Sequence, residues 1–314
     1  MGKKRHQNRA GNSRASGDET VPLAKETLEP PATDGREPSG TLYIVATPIG
    51  NLEDITIRAI RALKEVRLIA AEDTRRTRIL LDRYQITTPL TSLHDHNESK
   101  KSVSILAKLR QGDDVAYVSD AGTPGVSDPG YILVREAISR GIAVAPVPGP
   151  SALVTALSVS GLPMDRFVFL GFLPAKPIRR RELLASLEHE ERTLVFYESP
   201  RRLLATLHDI DGLFGEREVV IAREMTKIYE EFLRGPAGKL VSRLGDGQIR
   251  GEVTLIVAGC AGEAPEYSDV ELLRYRDQVR REGGEGLSLR DTADRISQET
   301  GVSRRRIYRL LLFP

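Results

Sequence analysis

The sequence has one cysteine, no tryptophan and three methionines in 314 residues, and only 5% of it is aromatic. A single thiol, Cys260, excludes an internal disulfide and a cysteine-rich zinc site. No run approaches the ~18 consecutive apolar residues of a membrane span. The N-terminus also lacks the apolar core of a secretory signal. The expectation is a soluble, cytoplasmic protein with no membrane partner. An excess of one charge is missing too: 46 Lys and Arg face 44 Asp and Glu, a formal net charge of +2. That balance excludes a uniformly basic coat for nucleic acid, although it averages over the whole chain. What is present is 40% hydrophobic content, which suffices for packed cores and excludes a wholly disordered chain. At roughly 100–200 residues per domain, the length predicts two domains and a small appendage.

Residues 1–40 stand apart. They hold no aromatic residue and few large aliphatics, and they carry Pro22, Pro30, Pro31 and Pro38. Lys3, Lys4, Arg5, Arg9 and Arg14 fall in a stretch without acids. Such a segment cannot bury enough apolar surface to offset its ordering entropy, so a disordered tail is expected; a weak electrostatic arm for nucleic acid is the alternative. From Thr41 the pattern changes to strands alternating with helices. TLYIVAT, VRLIAAED, DVAYVSD and IAVAPVPG read as strands, with PLTSLHDHNE as a loop. This alternation predicts an α/β domain over 41–149 with a mostly parallel, doubly covered sheet. RFVFLGFL, RTLVFYES, REVVIARE and GEVTLIVAG predict a second α/β domain over 150–262, with a cleft between the two. Residues 263–314 read as a polar linker and an appendage. In it Ala293 and Ile296 share one helical face, Gly301 ends that helix, and Ser303 caps another bearing Ile307, Leu310 and Leu311. The pattern is that of a helix-turn-helix, with Arg304, Arg305, Arg306 and Arg309 on the second helix. A helical pair with solvated arginines, an RNA contact and DNA reading all stay open.

The densest chemical signal is SDAGTPGVSDPG at 119–130. Gly122, Gly125 and Gly130 allow close backbone approach to a ligand, while Pro124 and Pro129 hold the loop's shape. The spacing is neither GxGxxG nor a Walker loop, so a triphosphate cradle is not expected. TPIGN and PGPSA follow two other strands. Three small-residue turns at one sheet edge point to one ligand lying across it.

VATPIGNLEDIT, AAEDTR, LHDHNE, SDAGTPGVSDPG, PVPGPSA, GLPMDRFVFLGFLP, YESPRR and AREMTKIYEE occur in that order. This set resembles the ribosomal small-subunit methyltransferase I family, the 16S rRNA cytidine 2′-O-methyltransferases of the tetrapyrrole-methylase superfamily. The likeness covers residues 41–260, and the C-terminal helices resemble the family's appendage. It implies two α/β domains with S-adenosyl-L-methionine in the cleft between them. It also implies a homodimer acting on 16S rRNA or the 30S subunit at a decoding-centre cytidine. Carried over by motif, the cofactor residues are Pro48, Ile49 and Gly50; Asp120, Ala121, Gly122 and Thr123; Ser151 and Ala152; Glu198; Glu224 and Met225; and Thr254.

The chemistry needs no metal, and adjacent His94, Asp95 and His96 cannot readily converge on one ion. A ribose hydroxyl needs in-line positioning and a base within reach. Asp73, ending a strand in AAEDTR, is the first choice for the base, with Asp95 second. Asp73 equally suits the N-cap of the following helix, and Glu72 should point the other way. Arg75, Arg76, Arg201, Arg202, Lys227, His94 and His96 are candidates for RNA contact, though arginine runs are commonly solvated helix faces. A tetrapyrrole (precorrin-type) methyltransferase and a cofactor-sensing nucleic-acid-binding regulator are the rival readings.

Overall fold

A computed structural model describes residues 39–245, 249–260, 267–283 and 287–312. The expected tail therefore lies, except for its last two residues, outside the described part. Strands β1 (Leu42–Val45), β2 (Leu68–Ala71), β3 (Leu90–Ser92), β4 (Val115–Val118) and β5 (Val144–Val147) form one sheet in the order β3-β2-β4-β1-β5. Every pair in it is parallel. Helices α1 (Ile57–Glu65), α2 (Thr74–Arg83), α3 (Glu98–Arg110) and α4 (Tyr131–Ser139) make the crossovers.

The strand sequences LYIV, LIAA and VAYV explain the architecture. Near-continuous apolar runs suit a parallel sheet covered on both faces. Alternate side chains serve opposite cores. Tyr43, Val45, Ile69 and Val118 pack with Leu63 and Leu81 on one face. Leu42, Ala70, Val115 and Tyr117 pack with Ile105, Leu109 and Leu133 on the other. The segment expected as a loop after Pro89 contains β3, because Leu90, Thr91 and Ser92 pair with Ile69, Ala70 and Ala71. Three residues are too few to show a period, so the sequence pattern missed them.

A second sheet comprises β6 (Phe167–Phe172), β7 (Thr193–Glu198), β8 (Glu218–Arg223), β9 (Glu231–Pro236) and β10 (Val253–Val257), ordered β6-β7-β10-β8-β9. Only β6–β7 is parallel. β9 was not among the expected strands: EFLRGP buries only Leu233 and carries no clear alternation. Helices α5 (Ala152–Ser160), α6 (Pro177–Ala185), α7 (Leu203–Phe214) and α8 (Ala237–Leu244) complete this half. One face of the sheet packs Phe196, Ile221 and Leu255 on Leu207, Ile210 and Leu240. The other packs Val195, Val220 and Ile256 on Ala156 and Leu157 of α5, together with Ile49 from the far end of β1.

Helices α9 (Asp269–Gly283), α10 (Leu289–Thr300) and α11 (Arg304–Leu312) share a core of their own, with Leu272, Val279, Ala293, Ile296 and Ile307. α9 fills most of the stretch expected as linker. Its polar composition hid the single apolar stripe carried by Leu272 and Val279.

Glu98 ties the first half together. It is buried at the start of α3, and its Oε1 accepts N–H bonds from Gly130 (3.1 Å), Ile132 (2.9 Å) and Leu133 (3.1 Å). Those are donors at the start of α4 that no intrahelical acceptor can serve. Glu98→Ala is expected to lower stability by about 2–3 kcal/mol, because buried donors are left unpaired; a urea titration with unchanged slope checks this.

Candidate active site

β4, β1 and β5 are neighbours in the first sheet, so the three small-residue turns leave one edge side by side. That edge is the carboxyl end of the strands, where open α/β sheets bind ligands. The turns are stitched together. Thr47 and Gly122 exchange two backbone hydrogen bonds of 2.9 Å, and the Thr123 hydroxyl donates to Pro150 O at 3.3 Å. Gly122 has φ +78, a conformation glycine adopts freely. The chain then enters α5 through Ser151, an N-cap whose side chain makes no capping bond.

These turns and the second sheet enclose a cavity of about 320 Å³. Of the cofactor residues expected from sequence, it brings together Ile49, Ala121, Gly122, Thr123, Ser151, Ala152, Glu198, Met225 and Thr254. Pro48, Gly50, Asp120 and Glu224 are not in its wall. Gly50 and Glu224 line a neighbouring hollow with Thr226, Lys227 and Tyr229. The Asp120 carboxylate is turned to the sheet edge, where it accepts from the Asp73 amide at 3.0 Å and pairs with Arg76 at 3.2 Å. The sequence reading missed Asp128, Phe172 and Tyr197, which also line the cavity. Asp128 lay inside the quoted SDAGTPGVSDPG loop, and Phe172 and Tyr197 lay in the quoted GFLP and YES strings. Tyr197 stacks edge-to-face on both Phe169 and Phe172, at 4.9 and 5.6 Å between centroids.

The carboxylates around this edge sit in opposite environments. Asp73 is the N-cap of α2. Its Oδ1 accepts from Arg75 N at 2.8 Å, and its Oδ2 pairs with Arg75 Nη2 at 2.7 Å. The Arg75 guanidinium and amide hold the Asp73 carboxyl well below the usual carboxylate range. In this geometry the first-choice base is occupied as a cap and ion-pair partner, and its basicity is weak. Glu72 does not point away from the edge: its Oε2 accepts from the Asp120 amide at 3.1 Å. Burial raises the Glu72 pKa, countered by that amide and reinforced by Asp120 and Asp95. Burial and then Glu72 push Asp128 up to about 6.

The substrate-side candidates also divide. Arg75, Arg201 and His96 are exposed, as is Asp95. Arg76 is exposed but paired with Asp120. His94 is tied to Asn97 by a 3.0 Å side-chain contact, and its ring meets His96 edge-on. Lys227 holds Glu224 at 2.8 Å and Glu252 at 3.1 Å. Arg202 pairs with the fully buried Glu198 at 2.5 Å and donates to Leu173 O at 3.1 Å. A phosphate that took it would leave the buried Glu198 carboxylate with only the Ser199 amide and the Thr206 hydroxyl as partners.

Two α/β layers closing on one cavity at the strand ends define a class. The family described as Tetrapyrrole (Corrin/Porphyrin) Methylases matches residues 41–241. Solved structures of similar fold include cobalt precorrin-4 methyltransferase, with TM-score 0.54 and 16% identity over 69% of this chain and 94% of that one. Another is the uroporphyrin-III C-methyltransferase of Thermus thermophilus complexed with S-adenosyl homocysteine, with TM-score 0.51 and 19% identity over 70% and 97%. Sequence relatives are more specific. A ribosomal RNA small subunit methyltransferase I from Synechocystis is 48% identical over 87% of this chain and 98% of its own length. One from Thermotoga maritima is 54% identical over 70% and 99%. The chain belongs to the ribosomal RNA small subunit methyltransferase I family.

Removing the Arg75 guanidinium frees the Asp73 carboxyl. In Arg75→Ala, Asp73 is expected to titrate at higher pH than in the unsubstituted protein, while the amide of residue 75, which still caps it, keeps it below the ordinary carboxylate range. Any stability from the pair is present above the unfolded pKa and lost as pH falls through the depressed one. Carbon-detected NMR titration of both proteins checks the shift.

Proposed function

We propose that the protein transfers the methyl group of S-adenosyl-L-methionine to the ribose 2′-hydroxyl of a cytidine in 16S rRNA, in the decoding centre of the small subunit. The observation that carries this reading is 48% identity across 98% of a small-subunit rRNA methyltransferase. The cavity suits the cofactor chemically. The start of α5 at Ser151 and Ala152 lacks a side-chain cap, so the helix dipole there would favour a carboxylate. Ile49, Met225 and Val253 give the wall an apolar stretch for a planar base. Thr123, Ser199 and Thr254 add hydroxyls in the same wall. Ala121, Gly122 and Ala152 would hold the cofactor chiefly through backbone. Glu198, with its oxygens spent on Arg202, Ser199 and Thr206, would shape the wall.

Bound there, the cofactor supplies an activated sulfonium methyl. The rest of the work falls to this chain. A ribose hydroxyl is a poor nucleophile at neutral pH, so the protein must hold it in line and give its proton somewhere to go. Arg75, Arg76 and Arg201, with His94, His96 and Lys227, would contact the RNA backbone; Asp73 would orient Arg75, and the exposed Asp95 would lie on the substrate side. The target nucleotide has to be unpaired or extruded to reach the cavity. Free 16S rRNA or the 30S subunit is the partner in this reading, a homodimer the working unit, and the cytoplasm the location.

Incubation of the protein with methyl-labelled cofactor and, separately, 16S rRNA, 30S subunits and a porphyrinogen tests the assignment. Label is expected in 2′-O-methylcytidine after nuclease digestion of the RNA. Label on the porphyrinogen alone would assign the protein to its fold relatives' chemistry instead.

A further inference from the structure

Helices α9, α10 and α11 form a body of their own. Its core runs from Leu272 and Val279 of α9 through Ala293 and Ile296 of α10 to Ile307 and Leu311 of α11. None of these residues belongs to the cores of the two halves, and none lines the cavity. The Thermotoga maritima relative matches over 220 residues, 99% of its own length, which is about the length of the two halves alone. The fold of the halves therefore does not depend on a unit of this kind.

The charge on this unit is concentrated on one helix. α11 reads RRRIYRLLL, four arginines and no acid. Ile307 and Leu311 face inward, while Arg305, Tyr308 and Arg309 are exposed at the spacing of a single helix face. Three of the arginines stand in the first turn, where the helix dipole repels cations. Acids offset this for two of them: Arg304 pairs with Asp294 at 2.5 Å, and Arg306 with Asp269 at 3.0 Å. The remaining acids of α10 are spent within it, Glu299 on Arg295 at 3.2 Å and Asp291 on the Ser288 hydroxyl at 2.6 Å. Among the described residues, the Arg305 and Arg309 side chains have no ion pair or hydrogen bond. Packing alone gives no reason for two uncompensated cations beside an exposed ring, whereas an anionic partner does.

We propose that this face of α11 holds the ribose-phosphate backbone of the RNA substrate outside the cavity. Arg305 and Arg309 each take a phosphate, and the Tyr308 ring lies between them against a ribose or an unpaired base. The proposal rests on the RNA-methylation reading above and adds a second hold on the same molecule. Neither arginine gives up a carboxylate to bind, so no buried or paired acid is stranded. Two contacts on one chain make the second intramolecular, which lowers the RNA concentration needed for turnover and leaves the bond-making step alone. RNA is the occupant because the cavity edge of the same chain engages RNA in that reading.

The test uses the full chain as wild type, as the pair Arg305→Gln with Arg309→Gln, and as the pair Arg305→Lys with Arg309→Lys. Methyl transfer to 16S rRNA and to 30S subunits is followed against RNA concentration, RNA binding against salt, cofactor affinity by calorimetry, and Tm. The Gln pair is expected to raise KM for RNA by about 10-fold or more at 0.1 M salt and to flatten the plot of log affinity against log salt by about 1.5–2. Its kcat, cofactor affinity and Tm should match wild type, because these side chains touch neither the cavity nor a partner in the fold. The Lys pair should stay close to wild type, since a phosphate is held by charge. Unchanged KM and salt slope in the Gln pair overturn the proposal, as does a fall in kcat with KM retained. A Lys pair as weak as the Gln pair overturns the phosphate contact. Tighter binding of random duplex DNA than of RNA, lost in the Gln pair while KM for RNA holds, gives the face to DNA instead. A wild-type chain that methylates no RNA overturns the underlying reading, and the proposal with it.

Discussion

The site depends on one docking contact between the halves. The exit of β1 is pressed onto the turn that leaves β8. The Asn51 amide donates to Thr226 Oγ1 at 2.9 Å, across 175 residues of sequence. The approach is so close that a Cβ on Gly50 would lie 2.5 Å from Lys227 Cγ and 2.8 Å from Met225 O, so only glycine fits. On the other side, Glu224 and Thr226 hold φ of +51 and +64. Left-handed backbone at non-glycine residues costs on the order of 1–3 kcal/mol each and persists only where surroundings dictate it. Here they do: Glu224 Oε1 is fixed by the Glu252 amide at 3.0 Å and Lys227 at 2.8 Å. The result is that Ile49 and Met225 meet in one apolar cluster and one cavity wall.

From that geometry follows a division of labour among acids that look alike in sequence. Carboxylates near the cavity with cationic or multiple donors, such as Asp73, Glu198 and Glu224, are committed to holding backbone and side chains in place. Glu72 and Asp128 lie closer to other acids, where burial favours the protonated form. Ionised, well-paired acids are poor bases, and isolated ones are costly to keep ionised.

Much of this was legible in the sequence because it depends on local signals. Buried parallel strands write themselves as LYIV, LIAA and VAYV, and the turns that follow them announce their glycines and prolines. Those features located the first sheet, the edge that its three turns share and part of the cavity wall. Side-chain direction was not legible. Glu72 and Asp73 are adjacent, and strand alternation put Glu72 on the wrong side, because the chain leaves the strand there and Asp73 turns into a helix cap. Asp128 was hidden for a related reason: which acids the fold gathers round it, from the ends of β2, β3 and β4, is a long-range fact. β9 and α9 escaped because each buries too little apolar surface to show a period.

Burial also sorts the arginines in a way their clustering does not. Arg179, Arg180 and Arg181 form one run, yet Arg180 is 3% exposed and locked on Asp209 at 2.7 Å. Breaking such a pair strands a charge in a medium that solvates it poorly, so Arg180 and Arg202 belong to the fold. Arg75 is different. Its side chain is 89% exposed while paired with Asp73, and exposed pairs contribute little net stability. Exchanging that carboxylate for an RNA phosphate keeps a bidentate partner on the guanidinium and leaves Asp73 in water with its capping bond intact. The near-zero net charge is therefore a poor guide to what the surface can attract. What matters is how cheaply each cation can change partners, and at the edge of this cavity the exposed ones can.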